Sequence, residues 1–192
     1  MIIDVFSRKI VGYEVYEQEL GQFAAKLMER TVIAEQICQT KKPLILHQDN
    51  GAPMKSYTFK AKLEELGILS SYSRPRVSDD NPYIESLFRT LKYSQLWPSK
   101  GFEDLTQARQ WVQHFVNWYN QEHRHSKIGF ITPHQKHTGQ SDALMKNRTE
   151  VYQAAKNKHP SRWSGQIRNW ESTQTVFLNP EKSVQKDGKT AA

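Results

Sequence analysis

What most limits the folds open to this chain is an alternation of short β-branched runs with helix-length amphipathic stretches. MIIDVF and IVGYEVYE, separated by the polar SRK, read as two strands of a hairpin. In LGQFAAKLMERTVIAEQICQ, residues Phe23, Ala24, Leu27, Met28, Thr31, Ala34 and Ile37 recur near the helical period, which predicts a core-facing helix. PLILH is a short continuous apolar run, as expected of a strand covered on both faces. KSYTFKAKLEELG predicts a helix stopped by Gly67, ILSSYS another strand, and RPRVSDD a basic loop rich in breakers. The pattern is α/β.

Downstream the chain turns helical. NPYIESLFRTLKYSQLW opens with Asn81 as a candidate N-cap and Pro82 at the first helical position. EDLTQARQWVQHFVNWYNQEH predicts a long amphipathic helix with Trp111, Phe115 and Trp118 close to one face, its aromatics read as core. Thr132 and Pro133 start a further short helix. The last fifty or so residues are more polar. There SRWSGQIRNWESTQTVFLNP looks like one or two strands of a small appendage, and the final EKSVQKDGKTAA like a frayed tail. With 192 residues the chain can bury one real core plus appended structure. The division expected is a core over 1–140 and an extension over 141–192.

Charge and composition narrow the function. The chain has 27 Lys+Arg against 20 Asp+Glu, a net +7, which favours a polyanionic partner; the bases are spread along the chain, as on a folded surface. No run approaches the ~18 apolar residues of a membrane span, and MIIDVFSRKI is no signal peptide, so the cytoplasm is the expected location. A single cysteine, Cys38, has no thiol companion for a disulfide or a cysteine-based zinc site. His123, His125, His134 and His137 lack a fixed ligand pattern, so zinc is not expected.

LILHQDNGAP ends an apolar run in Asp49. Asp-Asn-Gly is ordinary turn chemistry, so Asp49 can simply start an Asx turn. Alternatively it is a functional carboxylate, since ligands of open α/β sheets gather at the carboxyl ends of strands. Glu85 stands in the first turn of the helix opened by Asn81 and Pro82, where the helix dipole alone favours an acid. Thirty-five residues separate Asp49 from Glu85.

That spacing is similar to the one between the second and third acids of the Asp-Asp-Glu triad in retroviral-type integrases and bacterial insertion-sequence transposases. HQDNGA resembles the family's motif around the second acid, DNPYIESLFRTLK its helix bearing the Glu, and DVFSRKIVGYEV its hairpin. FVNWYNQEHRHSKIGFITPHQKHTG resembles the region downstream of the catalytic core in the insertion-sequence branch. The likeness runs from residue 1 to about residue 140, with a weaker echo in RWSGQIRNW and VFLNP.

The resemblance implies a ribonuclease-H-like mixed sheet flanked by helices, with a C-terminal helical and small β appendage. It implies metal-dependent cleavage and transfer of DNA strands, with Asp49 and Glu85 as catalytic residues and ligands of a two-metal Mg²⁺ or Mn²⁺ site. Two such ions, ~3.5–4 Å apart, clamp the attacking and leaving oxygens at phosphorus, and hard cations prefer oxygen ligands. Arg89 and Lys92, four and seven residues after Glu85, share its helix face and would meet DNA phosphates. Arg74 and Arg76 would do so from the preceding loop, and Asn50 either touches nucleic acid or completes the turn. The implied partners are transposon ends and target DNA, with a homo-oligomer in the full-length form.

One departure matters. The family's first acid lies on a strand upstream of the hairpin, and Asp4, within the hairpin motif, is not assigned that role. The sheet is therefore expected to lack its first, central strand, between the family's second and fourth. Such a fragment is expected to be inactive alone and poorly stable, with exposed strand edges on both sides of the gap. Two other readings stay open: a noncatalytic DNA-binding remnant, and a nuclease of the same fold that only hydrolyses.

Overall fold

The computed structural model describes residues 1–37, 43–75, 80–94, 96–172 and 174–178; Cys38 and Arg76 lie outside them. Strands β1 (Ile2–Ile3) and β2 (Ile10–Gly12) form an antiparallel pair, Ile2 opposite Gly12 and Ile3 opposite Ile10. Between them Asp4 builds the turn: its carboxylate accepts from the Ser7 amide at 2.5 Å and its carbonyl from the Arg8 amide at 2.8 Å. Helix α1 (Gly21–Ala34) follows. Strand β3 (Ile45–Gln48), the short α2 (Ala52–Lys55), α3 (Tyr57–Glu65) and β4 (Leu69–Tyr72) make a crossover, and β3 and β4 pair in parallel from Ile45–Leu69 to Gln48–Tyr72. Then come α4 (Pro82–Lys92), α5 (Leu105–Gln121), α6 (Pro133–His137) and α7 (Ser141–Lys158). Among the described residues the four strands form two separate two-stranded sheets.

Consecutive residues of a strand face opposite sides, and β1 uses this to divide two cores. Ile2 packs into the cluster of Ala25, Met28, Val32, Phe59, Leu63 and Ile68 from α1, α3 and the residue before β4. Ile3 packs into that of Ile10, Leu87, Leu91, Val112, Phe115, Val116 and Tyr119 from β2, α4 and α5. The arrangement is helix, sheet, helix. Leu46 of β3 joins the first cluster, so both sheets rest on the α1–α3 layer.

The outer edge of β2 is closed by a side chain. Buried Asn120 of α5 accepts from the Ile10 amide at 2.9 Å and donates to the Ile10 carbonyl at 3.0 Å. The amide group thereby stands in for a neighbouring strand at that position.

Several expectations need correction. PLILH is not covered on both faces: Ile45 is 62% exposed, and its partner Leu69 54%. The second strand ends at Gly12 and α4 at Lys92, both earlier than the apolar patterns suggested. Asn81 occupies the N-cap position of α4 but makes no capping hydrogen bond with its side chain. The expected small β appendage is absent among the described residues after α7, where a 3₁₀ turn at Pro160–Arg162 leads into irregular chain. That chain is anchored by Trp170, which packs with Ile128, Ile131 and Met145, while Arg148 and Arg168 approach its ring at 5.2 and 5.5 Å. Gly129, at φ 75°, has no Cβ to collide with the Met145 side chain, so α7 can lie close.

Candidate active site

β3 delivers its last residue, Gln48, to the sheet end, and the chain turns at once. The Asp49 carboxylate accepts from the Gly51 amide at 2.9 Å, an Asx turn, and Gly51 is also the N-cap of α2. Asn50 donates to the Ser73 carbonyl at 2.8 Å, which fastens the turn to the chain just beyond β4. Asp49 and Asn50 are exposed. Both roles considered for Asp49 are compatible, because one carboxylate oxygen in an Asx turn leaves the other for a ligand.

The link to α4 runs through His47. Its Nδ1 lies 3.0 Å from Ser71 Oγ on β4, and its Nε2 lies 3.1 Å from the carbonyl oxygen of Asp80. A carbonyl only accepts, so Nε2 donates to it, while Nδ1 pairs with the Ser71 hydroxyl. Asp80 immediately precedes Asn81, the N-cap of α4, and Glu85 sits within the first turn of that helix, with its amide donating to the Asn81 carbonyl at 3.2 Å. The segment bearing Asp49 is thus tied by one side chain to the start of the helix bearing Glu85.

Asp80 is buried and fully engaged. Its carboxylate accepts from the Arg74 amide at 2.6 Å and from Arg74 Nε and Nη2 at 2.9 and 2.6 Å. The guanidinium, then the backbone amide, hold the Asp80 carboxyl down at about 2. Arg74, expected on phosphates, is therefore paired with an acid of its own loop, although its side chain remains 70% exposed.

A carboxyl lowered from 3.8 in the unfolded chain to about 2 contributes stability that is present above pH ~4 and lost as pH falls through ~2. Asp80→Asn is expected to melt below the wild type at neutral pH, with the gap closing toward pH 2. Thermal melts across pH 2–7 check this, and a gap independent of pH would contradict it.

Glu85, Arg89 and Lys92 are exposed along α4, with Leu87 and Leu91 buried on the opposite side. Neither Asp49 nor Glu85 forms an ion pair among the described residues. Each is an accessible carboxylate not paired with lysine or arginine, the oxygen-ligand type a hard divalent cation prefers. No cluster of three or more His, Cys, Asp or Glu residues placed for a metal exists among the described residues. Two of the histidines make contacts within the fold: His137 contacts Ser7 Oγ and Glu35 at 3.0 Å each, and His125, pushed down to about 4 chiefly by burial, accepts from the Lys127 amide. The contributions of His47 and Asp80 had no sequence signal beyond their nearness to the two acids.

Two family models, both described as an integrase core domain, match residues 66–133 and 1–78. The chain belongs to the integrase core family. This integrase core is 33% identical over 135 residues to the transposase for insertion sequence element IS904 of Lactococcus lactis subsp. lactis (strain IL1403), covering 68% of this chain and 51% of that protein. It is 28% identical over 133 residues to an insertion element IS600 protein of Shigella sonnei, covering 69% and 47%. It is 26% identical over 138 residues to transposase InsF for insertion sequence IS3A of Escherichia coli (strain K12), covering 70% and 46%. The chain spans about half the length of these curated relatives. Among the described residues no helix is long and apolar enough to cross a membrane.

Proposed function

We propose that this chain is the catalytic-core portion of an insertion-sequence transposase of ribonuclease-H-like fold, acting on DNA ends through Mg²⁺ or Mn²⁺ held by Asp49 and Glu85. The observation that carries the reading is the His47 bridge, which joins the turn holding Asp49 to the residue preceding the N-cap of the Glu85 helix. Bound divalent ions would supply charge stabilisation at the transferred phosphoryl group and activate the attacking oxygen. Asp49 and Glu85 would hold the ions. Arg89 and Lys92, together with Asn50, Arg74 and Arg76, would position the sugar-phosphate backbone. A full-length form pairs two transposon ends in a homo-oligomer and joins them to target DNA.

A second reading, a DNA-binding remnant without strand transfer, is favoured by the division of the strands into two sheets. In the family's strand order the acid-bearing first strand lies between the strands that β1 and β3 resemble, and among the described residues no strand joins the two sheets.

Titration of the chain with Mn²⁺, and of labelled transposon-end duplex with the chain in Mg²⁺, tests both. Asp49→Asn and Glu85→Gln are each expected to weaken Mn²⁺ binding at least ~10-fold, about 1.4 kcal/mol. The chain alone is expected to bind duplex in a salt-sensitive manner without joining ends. Unchanged Mn²⁺ affinity in both variants would remove the metal assignment, and efficient end joining would remove the remnant reading.

A further inference from the structure

The face of α4 that carries Glu85 also carries two exposed rings that the proposed chemistry leaves unexplained. At ~100° per residue, Arg89 and Lys92 fall within about 40° of Glu85 and Phe88 about 60° to one side, while Tyr93, the C-cap residue just after Lys92, follows about 80° to the other. Phe88 is 41% and Tyr93 80% exposed, whereas Leu87 and Leu91 fill the core on the opposite side. The helix therefore presents a row of one acid and two bases flanked on both sides by aromatic surface. Arg89 leans toward the Tyr93 ring, its guanidinium carbon 6.0 Å from the centroid.

From this juxtaposition we infer that Phe88 and Tyr93 are stacking platforms for unpaired DNA bases, while Arg89 and Lys92 take the phosphates of the same strand. The inference rests on the DNA-processing reading above and adds a preference for single-stranded or frayed ends. The chemistry of the strip selects the occupant. A base in a duplex has both faces covered and offers nothing to a ring, whereas an unpaired base has a free π-face that any aromatic side chain can meet. Around the helix the cations lie between the two rings, so one strand can set its phosphates on them while its bases turn outward to the rings. A protein partner fits less well, because buried interface centres are depleted in lysine, and here Lys92 occupies the middle of the strip.

The test titrates the full chain with a short single-stranded oligonucleotide carrying a fluorescent aminopurine, and with the same sequence as a blunt duplex, at several salt concentrations. The wild type is expected to favour the single strand and to quench the aminopurine. Phe88→Ala and Tyr93→Ala are each expected to weaken single-strand binding roughly 5- to 100-fold and to relieve the quenching. They should leave the salt dependence unchanged, and Phe88→Trp and Tyr93→Phe should retain binding. Arg89→Gln with Lys92→Gln is expected instead to reduce the salt slope by about 1.4, near 0.7 per phosphate contact. Tyr93 is so exposed that its alanine variant tests the idea even where Phe88→Ala unfolds. The inference is overturned if Tyr93→Ala binds within about two-fold of wild type with quenching intact, or if the wild type prefers duplex. It is also overturned if sedimentation shows that the rings join two copies of the chain. Loss of the aromatic effect alone leaves the DNA reading standing, while absence of any nucleic-acid binding removes both.

Discussion

Asn120→Leu is expected to lower the melting temperature by roughly 5–15 °C, the largest loss of stability anticipated for a single polar side chain here. Asn120 is buried, and its amide pairs with both the N–H and the C=O of Ile10. Leucine has similar bulk and no polar atoms, so both backbone groups would be left without partners. Each unmade buried hydrogen bond costs about 1–3 kcal/mol, together ~2–6 kcal/mol, and 1 kcal/mol moves the midpoint ~2–4 °C at this chain length. Ile10 is also the residue through which β2 enters the α4–α5 core, so loosening it is felt by Leu87, Leu91 and Phe115. Gln121→Ala, one residue on and exposed, is the control and should stay within about 0.5 kcal/mol. Scanning calorimetry on the two variants decides the matter, and equal melting temperatures would show that water or backbone adjustment replaces the clamp.

How much of this was legible in the sequence depended on the range of the interaction concerned. α1, α3 and α5 were visible because a helix writes its buried face into local spacing, as at Met28 and Thr31 in α1 and Phe115 in α5; Trp118, read onto that face, is instead 37% exposed, and Val112, Val116 and Tyr119 fill the core. The two acids were visible because a strand end and a helix start have local signals. Coverage of a strand by other elements has none, so the PLILH strand was read as covered on both faces although Ile45 is exposed. At the C-terminus, Trp163, Ile167 and Trp170 suggested strand, yet the described residues there provide no partner strand, and Trp170 instead packs against Ile128 and Met145. α7 had gone unplaced because its 18 residues bury little beyond Ser141 and Met145, which leaves a weak periodic signal. Residues distant in sequence, such as Asn120 with Ile10 or His47 with Asp80, meet only when the chain is folded.

The second large effect is expected at His47. If it holds the Asp49 turn against the start of α4, then His47→Leu, which keeps bulk and removes both ring nitrogens, should weaken Mn²⁺ binding on the order of 10- to 100-fold, as is common when the groups orienting a metal's ligands are lost. Neither proposed ligand is touched by the substitution. The loss would come from letting Asp49 and Glu85 sample separate positions, so that one carboxylate binds the ion without the other. His47→Gln separates this from general damage, because its amide N–H₂ can donate to the Asp80 carbonyl where Nε2 does. It should recover most of the affinity. Ser71→Ala should cost less than His47→Leu, since the Nε2 donation to Asp80 survives when the hydroxyl partner of Nδ1 is gone. Competition titrations of Mn²⁺ against Mg²⁺, read by electron paramagnetic resonance of the free ion, would rank the three variants. Wild-type affinity in His47→Leu alongside a clear loss in Glu85→Gln would mean that packing of Leu87 and Leu91 alone fixes α4, with the imidazole only filling space beside it.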